Sequence, residues 1–367
     1  MTFLELEKNI MSARNLFDEF VKNIRQSNKK VFLFGAGLCG RSYLKIFERR
    51  NIPLEGIIDN HKTSLDGYPV SRFETIVSNY NIKECIIVIS APGSEEQIRK
   101  QVLSVFPEEQ VFTFAISRYG NGEENESHAT KEFFSENRVF LSELYNHLGD
   151  SLSKKVFCYI FLGRVTADKE KFSRIKTGDL YYPPEVIKLD NGEVLVELGS
   201  NNGDTLRDFI SRCPEFKKAY CFEPDRTCLH ILHATFDKYT NRIKIIPKIA
   251  WDKECNLSFR DNGGDMSSFV NEEQNVNDET LPASSIDIEI EDSVTFIKMD
   301  IEGAELQALH GAENHIKTCK PKLAISVYHK RNDLVEIPQY ILSIRSDYKF
   351  YLRHHGNDDT DTVLYAI

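Results

Sequence analysis

The sequence predicts an α/β protein with two parallel-sheet domains. Short apolar runs alternate with segments of helical period along most of the chain, which is the pattern of parallel strands joined by helices. A glycine-rich turn follows an apolar strand in each half, as FGAGLCG near the start and as ELGSNNGD further on. The chain of 367 residues exceeds the usual size of one domain, so we expect about two to three domains.

The N-terminal half begins with a segment of helical period. Residues 1–28 are predicted to form a helix, because their apolar side chains recur near every third or fourth position. Residues 29–118 alternate strands with helices and indicate a small Rossmann-like domain. Residues 119–185 are interpreted as a polar linker and a helical segment, which ends at Tyr182-Pro183-Pro184 because proline stops a helix.

The C-terminal half returns to strands alternating with helices. Residues 186–367 are predicted to form a second α/β domain that opens with the strand VLVELG. Its last two apolar segments, YKFYLRHH and DTVLYAI, are joined by a turn that is too short for a parallel crossover. The final strand is therefore predicted to be antiparallel.

Composition and charge limit the classes of partner. The formal net charge of -10 gives no basic footprint for phosphate backbones, so we expect no nucleic-acid partner. The longest apolar run, VFCYIFLG, is far shorter than the ~20 residues that span a bilayer. The N-terminal stretch has no basic region of the kind that export signals carry, and we expect a cytoplasmic protein without a transmembrane segment. Whether it forms a homo-oligomer is left open.

The eight cysteines are scattered without C-x-x-C pairs or regular histidine spacing. They are interpreted as small hydrophobic residues of a reducing compartment, and no metal site is predicted from them.

The second glycine loop carries the pattern of a nucleoside-binding turn. Gly199 and Gly203 allow a sharp turn after the strand, and Glu197 places a carboxylate beside it. Glu223 ends the next strand, where an acid can accept both hydroxyls of a ribose. The G-x-G-x-x-G spacing of dinucleotide loops is missing, and S-adenosyl-L-methionine fits the two acids better. The alternative is a tight connection that binds no ligand.

Several blocks in order resemble the FkbM family of S-adenosylmethionine-dependent methyltransferases. They are VELGSNNGDT, CFEPD, IAWD, FIKMDIEGAELQALHGA and PKLAISVYHK, and the resemblance covers residues 180–367. It implies the class I methyltransferase fold, a Rossmann-like seven-stranded sheet whose last strand is antiparallel. It also implies O-methylation of a small-molecule or glycan acceptor, a sugar or nucleotide-linked sugar, in surface-glycan biosynthesis.

The family pattern also implies the residues that bind the donor. Glu197, Gly199 and Gly203 would line its methionine side, Glu223 its ribose, and the Ala250-Trp251 region its adenine. Family members commonly have aspartate where this chain has Glu197, a change that keeps the charge. The full set predicted to bind the cofactor is Glu197, Gly199, Ser200, Asn201, Gly203, Asp204, Glu223, Pro224, Ala250, Trp251 and Asp300.

Three residues are candidates for catalysis. Asp300 closes the strand TFIKMD, where it could orient the acceptor hydroxyl or face the sulfonium, and Lys298 shares its face and is expected to pair with an acid. Glu302 could act beside Asp300 or complement the N-terminus of the next helix. His329, just past the strand KLAISVY, is the candidate base because its intrinsic pKa is near neutral, with a structural role as the alternative.

The remaining polar candidates surround the predicted acceptor site. The acceptor is predicted to contact Ser267, Ser268, Phe269 and Tyr182, although a loop without a ligand is an equal alternative. The acidic turn that contains Asp358, Asp359 and Asp361 is interpreted as solvated rather than as a metal site. His230, His233, His354 and His355 are interpreted as surface or satisfied core residues.

The first glycine loop has the dinucleotide spacing. Gly35, Gly37 and Gly40 lie between a strand and a helix, and Asp59 ends the next strand. With the later LDGYPV, this half resembles the N-terminal nucleotide-sugar-binding domain of bacterial sugar acetyltransferases. That resemblance implies a domain that binds a nucleotide or a nucleotide-linked sugar; NAD and a structural or dimerising module are the alternatives.

Two other functions compete with methyl transfer. A nucleotide-sugar oxidoreductase or epimerase would use the first loop, although the chain has no Y-x-x-x-K pair of the short-chain dehydrogenases. A non-catalytic nucleotide-binding scaffold is the third hypothesis.

Overall fold

The computed structural model describes residues 1–116, 130–260, 269–271 and 279–367. The chain folds into two compact units, and it passes from one to the other several times. The first unit contains Met1–Arg138, Lys155–Lys176 and Gly356–Thr360. The second unit contains Val139–Lys154, Thr177–His355 and Asp361–Ile367.

The N-terminal half contains six strands and nine helices among its described residues. The strands are β1 (Lys30–Phe34), β2 (Leu54–Ile58), β3 (Ser64–Leu65), β4 (Tyr68–Ser71), β5 (Cys85–Ile89) and β6 (Val111–Phe112). The helices are α1 (Phe3–Ser12), α2 (Leu16–Arg25), α3 (Leu38–Arg49), α4 (Phe73–Asn79), α5 (Glu95–Leu103), α6 (Lys131–Glu136), α7 (Arg138–His147), α8 (Ser151–Thr166) and α9 (Glu170–Ser173).

The segment predicted as one N-terminal helix forms two. The first ends at Ser12, and Asn15 then caps α2 by accepting hydrogen bonds from the backbone N–H groups of Phe17 and Asp18. Asparagine is a favoured N-cap because its side chain replaces the missing backbone acceptors of the first turn. The apolar period alone could not show this interruption, since it continues through both helices.

The first sheet has the strand order β3-β4-β2-β1-β5-β6. The ladders of β1 with β2 and β5 are parallel, and only the β3–β4 pair is antiparallel. Because β2 and β5 flank β1 on opposite sides, the connections diverge at the carboxyl end of β1, where Gly35 lies. The sheet confirms the Rossmann-like α/β pattern that the sequence predicts for this half.

The C-terminal half contains eleven strands and six helices among its described residues. The strands are β7 (Val194–Leu198), β8 (Lys218–Phe222), β9 (Ile243–Ile246), β10 (Ile249–Ala250), β11 (Cys255–Arg260), β12 (Phe269–Asn271), β13 (Glu279–Ser284), β14 (Phe296–Met299), β15 (Lys322–Ser326), β16 (Phe350–His354) and β17 (Thr362–Ala366). The helices are α10 (Asp204–Arg212), α11 (Arg226–Phe236), α12 (Ile286–Glu289), α13 (Glu305–His310), α14 (Glu313–Cys319) and α15 (Asp333–Ile344).

The large sheet of the second unit has seven strands in the order β16-β17-β15-β14-β7-β8-β9. The last strand, β17, pairs antiparallel with both β15 and β16, whereas β14, β15, β7, β8 and β9 form parallel ladders. This confirms the predicted seven-stranded sheet with an antiparallel last strand. A separate four-stranded sheet has the order β10-β13-β11-β12.

The core of the second unit forms where the central strands carry continuous apolar runs. Every residue of β7 and of β14 is buried, which is expected of strands that helices cover on both faces. Tyr182 belongs to this core, with its ring 5.8 Å from that of Phe296 and 6.2 Å from that of Phe209. Among the described residues, no helix is both long and apolar enough to span a bilayer.

Gly40 and Gly37 offer a matched test of packing at the first glycine loop. A Cβ at Gly40 would lie 2.0 Å from the carbonyl oxygen of Gly35, whereas no described atom lies within 4 Å of a Cβ at Gly37. We expect Gly40→Ala to lower the free energy of unfolding by about 1–3 kcal/mol, measured by thermal denaturation. Gly37→Ser is the control and should lose no stability, because Gly37 is the N-cap of α3 and serine is favoured there.

Candidate active site

The candidate site lies at the carboxyl edge of the large sheet, where β7 and β14 end side by side. The next strands in sequence after these two, β8 and β15, lie on opposite sides of the pair, so the connections that follow β7 and β14 leave in opposite directions. Open α/β sheets bind ligands in the crevice that such a divergence creates. Glu197 is the fourth residue of β7, and Asp300 directly follows β14.

The glycine loop after β7 packs against the end of β14. Gly199 has φ +75, and a Cβ there would lie 2.0 Å from the carbonyl oxygen of Asp300. Gly203 has φ +80 and is the N-cap of α10 without a side-chain cap. Both positions need glycine for conformation, and Gly199 also needs it for the close approach of the two backbones.

Glu223 ties the end of β8 to this loop. Its Oε2 accepts a hydrogen bond from the N–H of Asn201 at 2.7 Å, and its Oε1 accepts one from the N–H of Asp225 at 2.9 Å. Burial raises the pKa of Glu223, and the two N–H groups oppose that effect. Each oxygen has lone pairs beyond these two bonds, so the carboxylate can still accept hydrogen bonds from a ligand.

Glu197 is a fully buried carboxyl group with unused acceptors. Its relative exposure is 0%, and its oxygens lie near the hydroxyls of Ser200 and Thr205, which lower its pKa, without a hydrogen bond of good geometry to them. Burial raises the pKa of Glu197, and the nearby charge of Lys298 lowers it in part. Lys298 itself donates to the carbonyl oxygen of Gly199 at 2.9 Å. A ligand that brings an N–H donor or a positive charge would satisfy Glu197.

Asp300 is held by two tyrosines. The hydroxyl of Tyr181 donates to its Oδ2 at 2.5 Å, and the hydroxyl of Tyr328 donates to its Oδ1 at 3.2 Å. Burial alone would raise the pKa of Asp300, but the charges of Lys298 and His329 and the bond from Tyr181 hold it below its ordinary value. Asp300 is therefore an ionised, oriented carboxylate at the edge of the crevice.

His329 lies among three carboxylates. Its Nδ1 is 2.8 Å from Oε1 of Glu305, and its Nε2 is 3.4 Å from Oδ1 of Asp300 and 3.6 Å from Oε2 of Glu302. Burial alone would lower the pKa of His329, but the three negative charges raise it to about 10. The imidazole of the chain by itself is therefore protonated at neutral pH, and a protonated ring cannot accept the proton of an acceptor hydroxyl.

The other predicted donor residues surround the same loop. Ser200 is buried, and the N–H of Asn201 meets Glu223 as described. Asp204, the first residue of α10, is exposed and pairs with Arg207, while Pro224 is partly buried after β8. Ala250 and Trp251 are buried at the end of the small sheet, and the indole Nε1 of Trp251 has no hydrogen-bond partner among the described residues.

Of the residues predicted to bind the acceptor, only Tyr182 has a side chain that the structure describes. Tyr182 lies in the hydrophobic core with a relative exposure of 1%, and its hydroxyl approaches the carbonyl oxygen of Thr205 at 3.4 Å. Its neighbour Tyr181 is the one that contacts Asp300. Ser267 and Ser268 lie outside the described residues, and Phe269 is described only as the first residue of β12.

Sequence reasoning gave no role in the site to Tyr328 or Glu305, and it assigned Tyr181 no contact with Asp300. Tyr181 has φ +66, an unusual backbone conformation for a non-glycine residue that no local pattern indicates. Tyr328 directly precedes His329, and Glu305 follows Asp300 in the block DIEGAE, so both lay within segments already singled out. The sequence signal for Tyr328 and Glu305 was their position next to predicted site residues. Their residue types alone did not distinguish them from core residues.

The acid beside the glycine loop of the first unit is bonded within the chain. Asp59 accepts hydrogen bonds from the N–H groups of Ala36, His61 and Lys62, which lower its pKa although burial opposes them. A small cavity near this loop is also lined by residues 358–360. The acidic turn predicted to be solvated is therefore partly buried, with Asp359 only 4% exposed.

The other histidines agree with the sequence interpretation. His230 and His233 are exposed on α11. His354 is buried with Nδ1 2.9 Å from the hydroxyl of Thr362, and His355 lies 3.3 Å from the hydroxyl of Tyr365. They are surface and satisfied core residues.

Comparison with known proteins matches the second unit to a methyltransferase family. Residues 193–356 match the family model described as the Methyltransferase FkbM domain, which confirms the predicted resemblance over that range. The curated proteins compared with the chain include no match.

A solved structure shows the same fold. A methyltransferase FkbM from Methylobacillus flagellatus KT is 23% identical, with 100% of this chain and 98% of that chain covered and a TM-score of 0.75. An rRNA methylase from Streptococcus thermophilus is 15% identical over 48% of this chain and 87% of its own, with a TM-score of 0.32. The family match and the sheet topology together support a methyltransferase.

The buried carboxyl group of Glu197 makes stability depend on pH. Its pKa in the folded chain is above the ordinary 4.5, so the unfolded chain ionises first and stability is lost as the pH rises through the folded pKa. Relative to the parent chain, Glu197→Gln should therefore become more stable as the pH rises above 4.5.

Urea unfolding at several pH values measures this difference. Glu336→Gln, an exposed glutamate on α15, is the matched control and should show no such trend. A stability difference between Glu197→Gln and the parent chain that is constant with pH would contradict the expectation.

Proposed function

We propose that the chain, whose residues 193–356 match the Methyltransferase FkbM domain, transfers a methyl group from S-adenosyl-L-methionine to a hydroxyl group of a sugar or nucleotide-linked sugar. The observation that carries this proposal is the meeting of three acidic strand ends at the divergence of the large sheet. Glu197 is the next-to-last residue of β7, Glu223 follows β8 and Asp300 follows β14. The first two suit a nucleoside that carries a positive charge, and the third suits the acceptor.

The donor side is supported by the unused acceptors of two carboxylates. Glu197 is fully buried and forms no hydrogen bond of good geometry with the nearby hydroxyls of Ser200 and Thr205, so an ammonium group would satisfy it. Glu223 keeps free lone pairs beside the loop, where ribose hydroxyls could donate to it. When bound, S-adenosyl-L-methionine supplies an activated methyl group on a positively charged sulfur. The remaining donor residues are proposed as the family pattern implies them.

The acceptor side is supported by the orientation of Asp300. Its side chain is 27% exposed, and the hydroxyls of Tyr181 and Tyr328 fix it from two directions. An oriented carboxylate can accept a hydrogen bond from the acceptor hydroxyl and hold its oxygen in line for attack. The acceptor oxygen would receive the methyl group of the donor and pass its proton to the carboxylate of Asp300 or to water, and the donor would leave as the neutral thioether. Alignment of this kind contributes about 7–11 kcal/mol in favourable systems.

His329 is proposed as a positioning residue rather than as the base. It is buried, and its two ring nitrogens face Glu305 on one side and Asp300 and Glu302 on the other. This arrangement leaves no ring nitrogen for the acceptor and places the ring where it can fix Asp300. Glu302, which is partly exposed, remains a candidate to contact the acceptor.

The sugar class of the acceptor rests on the family resemblance. Residues 267–269 remain proposed acceptor contacts, and the first unit remains a proposed binding domain for a nucleotide or nucleotide-linked sugar.

Incubation with labelled donor and a panel of sugars and nucleotide-sugars, followed by mass measurement, tests the reaction. A gain of one methylene on an acceptor supports it. Purified protein that holds a nicotinamide cofactor and binds no S-adenosylhomocysteine would favour the oxidoreductase instead.

Glu223→Gln tests the donor site directly. An amide cannot accept from both backbone N–H groups and from a ribose as the carboxylate does, and a hydrogen bond to a charged group contributes about 1.5–3 kcal/mol. We expect the dissociation constant for S-adenosylhomocysteine, measured by calorimetry, to rise by about tenfold or more. Glu215→Gln, an exposed glutamate, is the control, and a thermal melt of each variant verifies folding. Equal affinities in the two variants would contradict the assignment.

The adjacent tyrosines provide a matched pair for the acceptor side. Tyr181→Phe removes the hydroxyl that orients Asp300, whereas Tyr182→Phe removes one that approaches only a core carbonyl. We expect Tyr181→Phe to lower kcat by about tenfold or more with unchanged affinity for S-adenosylhomocysteine. Tyr182→Phe should change kcat much less. If both variants lose the same fraction of activity, Tyr181 does not orient the reacting carboxylate.

A further inference from the structure

Glu305, the first residue of α13, contacts two segments that form the acceptor side of the site. It is fully buried, with a relative exposure of 0%. Its Oε1 accepts the N–H of Ile301, in the turn after β14, at 3.0 Å and lies 2.8 Å from Nδ1 of His329, in the segment after β15. Resting on the proposed function, we propose that Glu305 is a positioning residue that holds the imidazole of His329 against Asp300 during methyl transfer.

His329 joins Glu305 to Asp300 through its two ring nitrogens. Its Nδ1 faces Glu305, and its Nε2 lies 3.4 Å from Oδ1 of Asp300 on the other side of the ring. The ring of Tyr328 packs beside the imidazole at a centroid distance of 4.1 Å, and its hydroxyl donates to the same Oδ1 at 3.2 Å. A displacement of the imidazole would therefore reach Asp300 both directly and through Tyr328.

The three carboxylates around His329 differ in distance and burial. Glu305 is the nearest and is enclosed, whereas the side chains of Asp300 and Glu302 are 27% and 23% exposed. Burial lowers the pKa of His329, but Glu305, and then Asp300 and Glu302, raise it to about 10. A charge is screened least where water is excluded, so Glu305 contributes most to the positive charge of the ring. A charged ring also attracts the carboxylate of Asp300 more strongly than a neutral one.

A further acid, Asp333 at the start of α15, is buried near the same group. Its Oδ2 accepts the N–H of Lys330 at 2.7 Å, within the turn that follows His329. Burial and the charge of Glu305 raise the pKa of Asp333 to about 7. Burial also acts on Glu305, but the charge of His329 outweighs it and lowers the pKa of Glu305. Glu305 is therefore the ionised acid beside the ring, whereas Asp333 is partly protonated at neutral pH.

A purely structural role for Glu305 would be to bind the N–H of Ile301 and fix the turn after β14. Glu305→Gln separates this role from the positioning role. Glutamine keeps the length of the side chain and an oxygen that can accept from Ile301, but it removes the negative charge beside Nδ1 of His329. A defect that follows the charge state of His329 therefore does not come from the turn.

Nuclear magnetic resonance of the full chain, with carbon-13 in its histidine rings, measures the charge state without donor or acceptor. The signal that is missing in His329→Gln identifies His329. We expect a pKa of about 10 for His329 in the parent chain, and a value lower by about one to three pH units in Glu305→Gln. Glu336→Gln, which alters an exposed acid on α15, should titrate as the parent chain does. Circular dichroism of each variant verifies folding.

The pH profile of methyl transfer tests the positioning role. The kcat of Glu305→Gln, relative to that of the parent chain, should fall by about tenfold or more as the pH rises through the pKa measured for His329 in this variant. The reason is that the ring becomes neutral there and no longer holds Asp300. Glu336→Gln should keep the profile of the parent chain.

The outcomes separate this inference from the proposed function. An equal pKa of His329 in Glu305→Gln and the parent chain, or a ratio of kcat values that is constant with pH, overturns the inference. A pKa of His329 at or below its ordinary 6.5 in the parent chain also overturns it, and this measurement does not require Glu305→Gln to fold. A parent chain that transfers no methyl group contradicts the proposed function, and the titration then decides by itself whether Glu305 holds His329 in its charged state.

Discussion

The close approach of the glycine loop to the end of β14 is the constraint on which the candidate site depends. At Gly199 any side chain would collide with the backbone of Asp300, so the two strand ends can be neighbours only because that residue is glycine. Lys298 joins the same two strands by donating from β14 to the carbonyl of Gly199. Glu197 and Asp300 are thereby placed at the same edge of the sheet. The positive charge of Lys298 lowers the pKa of both carboxyl groups.

Buried charge is the energetic consequence of this arrangement. Glu197 and Glu305 are enclosed carboxyl groups, and His329 is an enclosed imidazole, so the second unit retains groups whose desolvation opposes folding. Asp300 stays ionised because Lys298, His329 and Tyr181 lower its pKa more than burial raises it. At Glu197 the charge of Lys298 does not offset the effect of burial, so its pKa remains raised. Groups of this kind cluster where a ligand completes them, and a core built for stability alone would have used apolar side chains.

The acids beside the two glycine loops differ in how many hydrogen bonds they accept from the chain. In the first unit Asp59 closes its own turn by accepting three backbone N–H groups. In the second unit Glu197 accepts from no backbone N–H group among the described residues and forms no hydrogen bond of good geometry with the hydroxyls of Ser200 and Thr205, and Glu223 accepts two backbone N–H groups. The first loop matches the dinucleotide motif better, yet its acid is the one whose oxygens accept more hydrogen bonds from the backbone. The proposed chemistry belongs to the other loop.

The sequence by itself determined the two α/β sheets, the antiparallel last strand, and Glu197, Glu223 and Asp300 at strand ends. Apolar runs, turn length and the position of an acid after a strand are local properties, so they can be recognised without coordinates. Only the tertiary structure decided that Tyr181 rather than Tyr182 meets Asp300, because that choice depends on a left-handed backbone conformation at Tyr181. It also decided the state of His329, whose intrinsic pKa suggested a base, since Asp300 and Glu302 after β14 and Glu305 at the start of α13 surround it and raise its pKa.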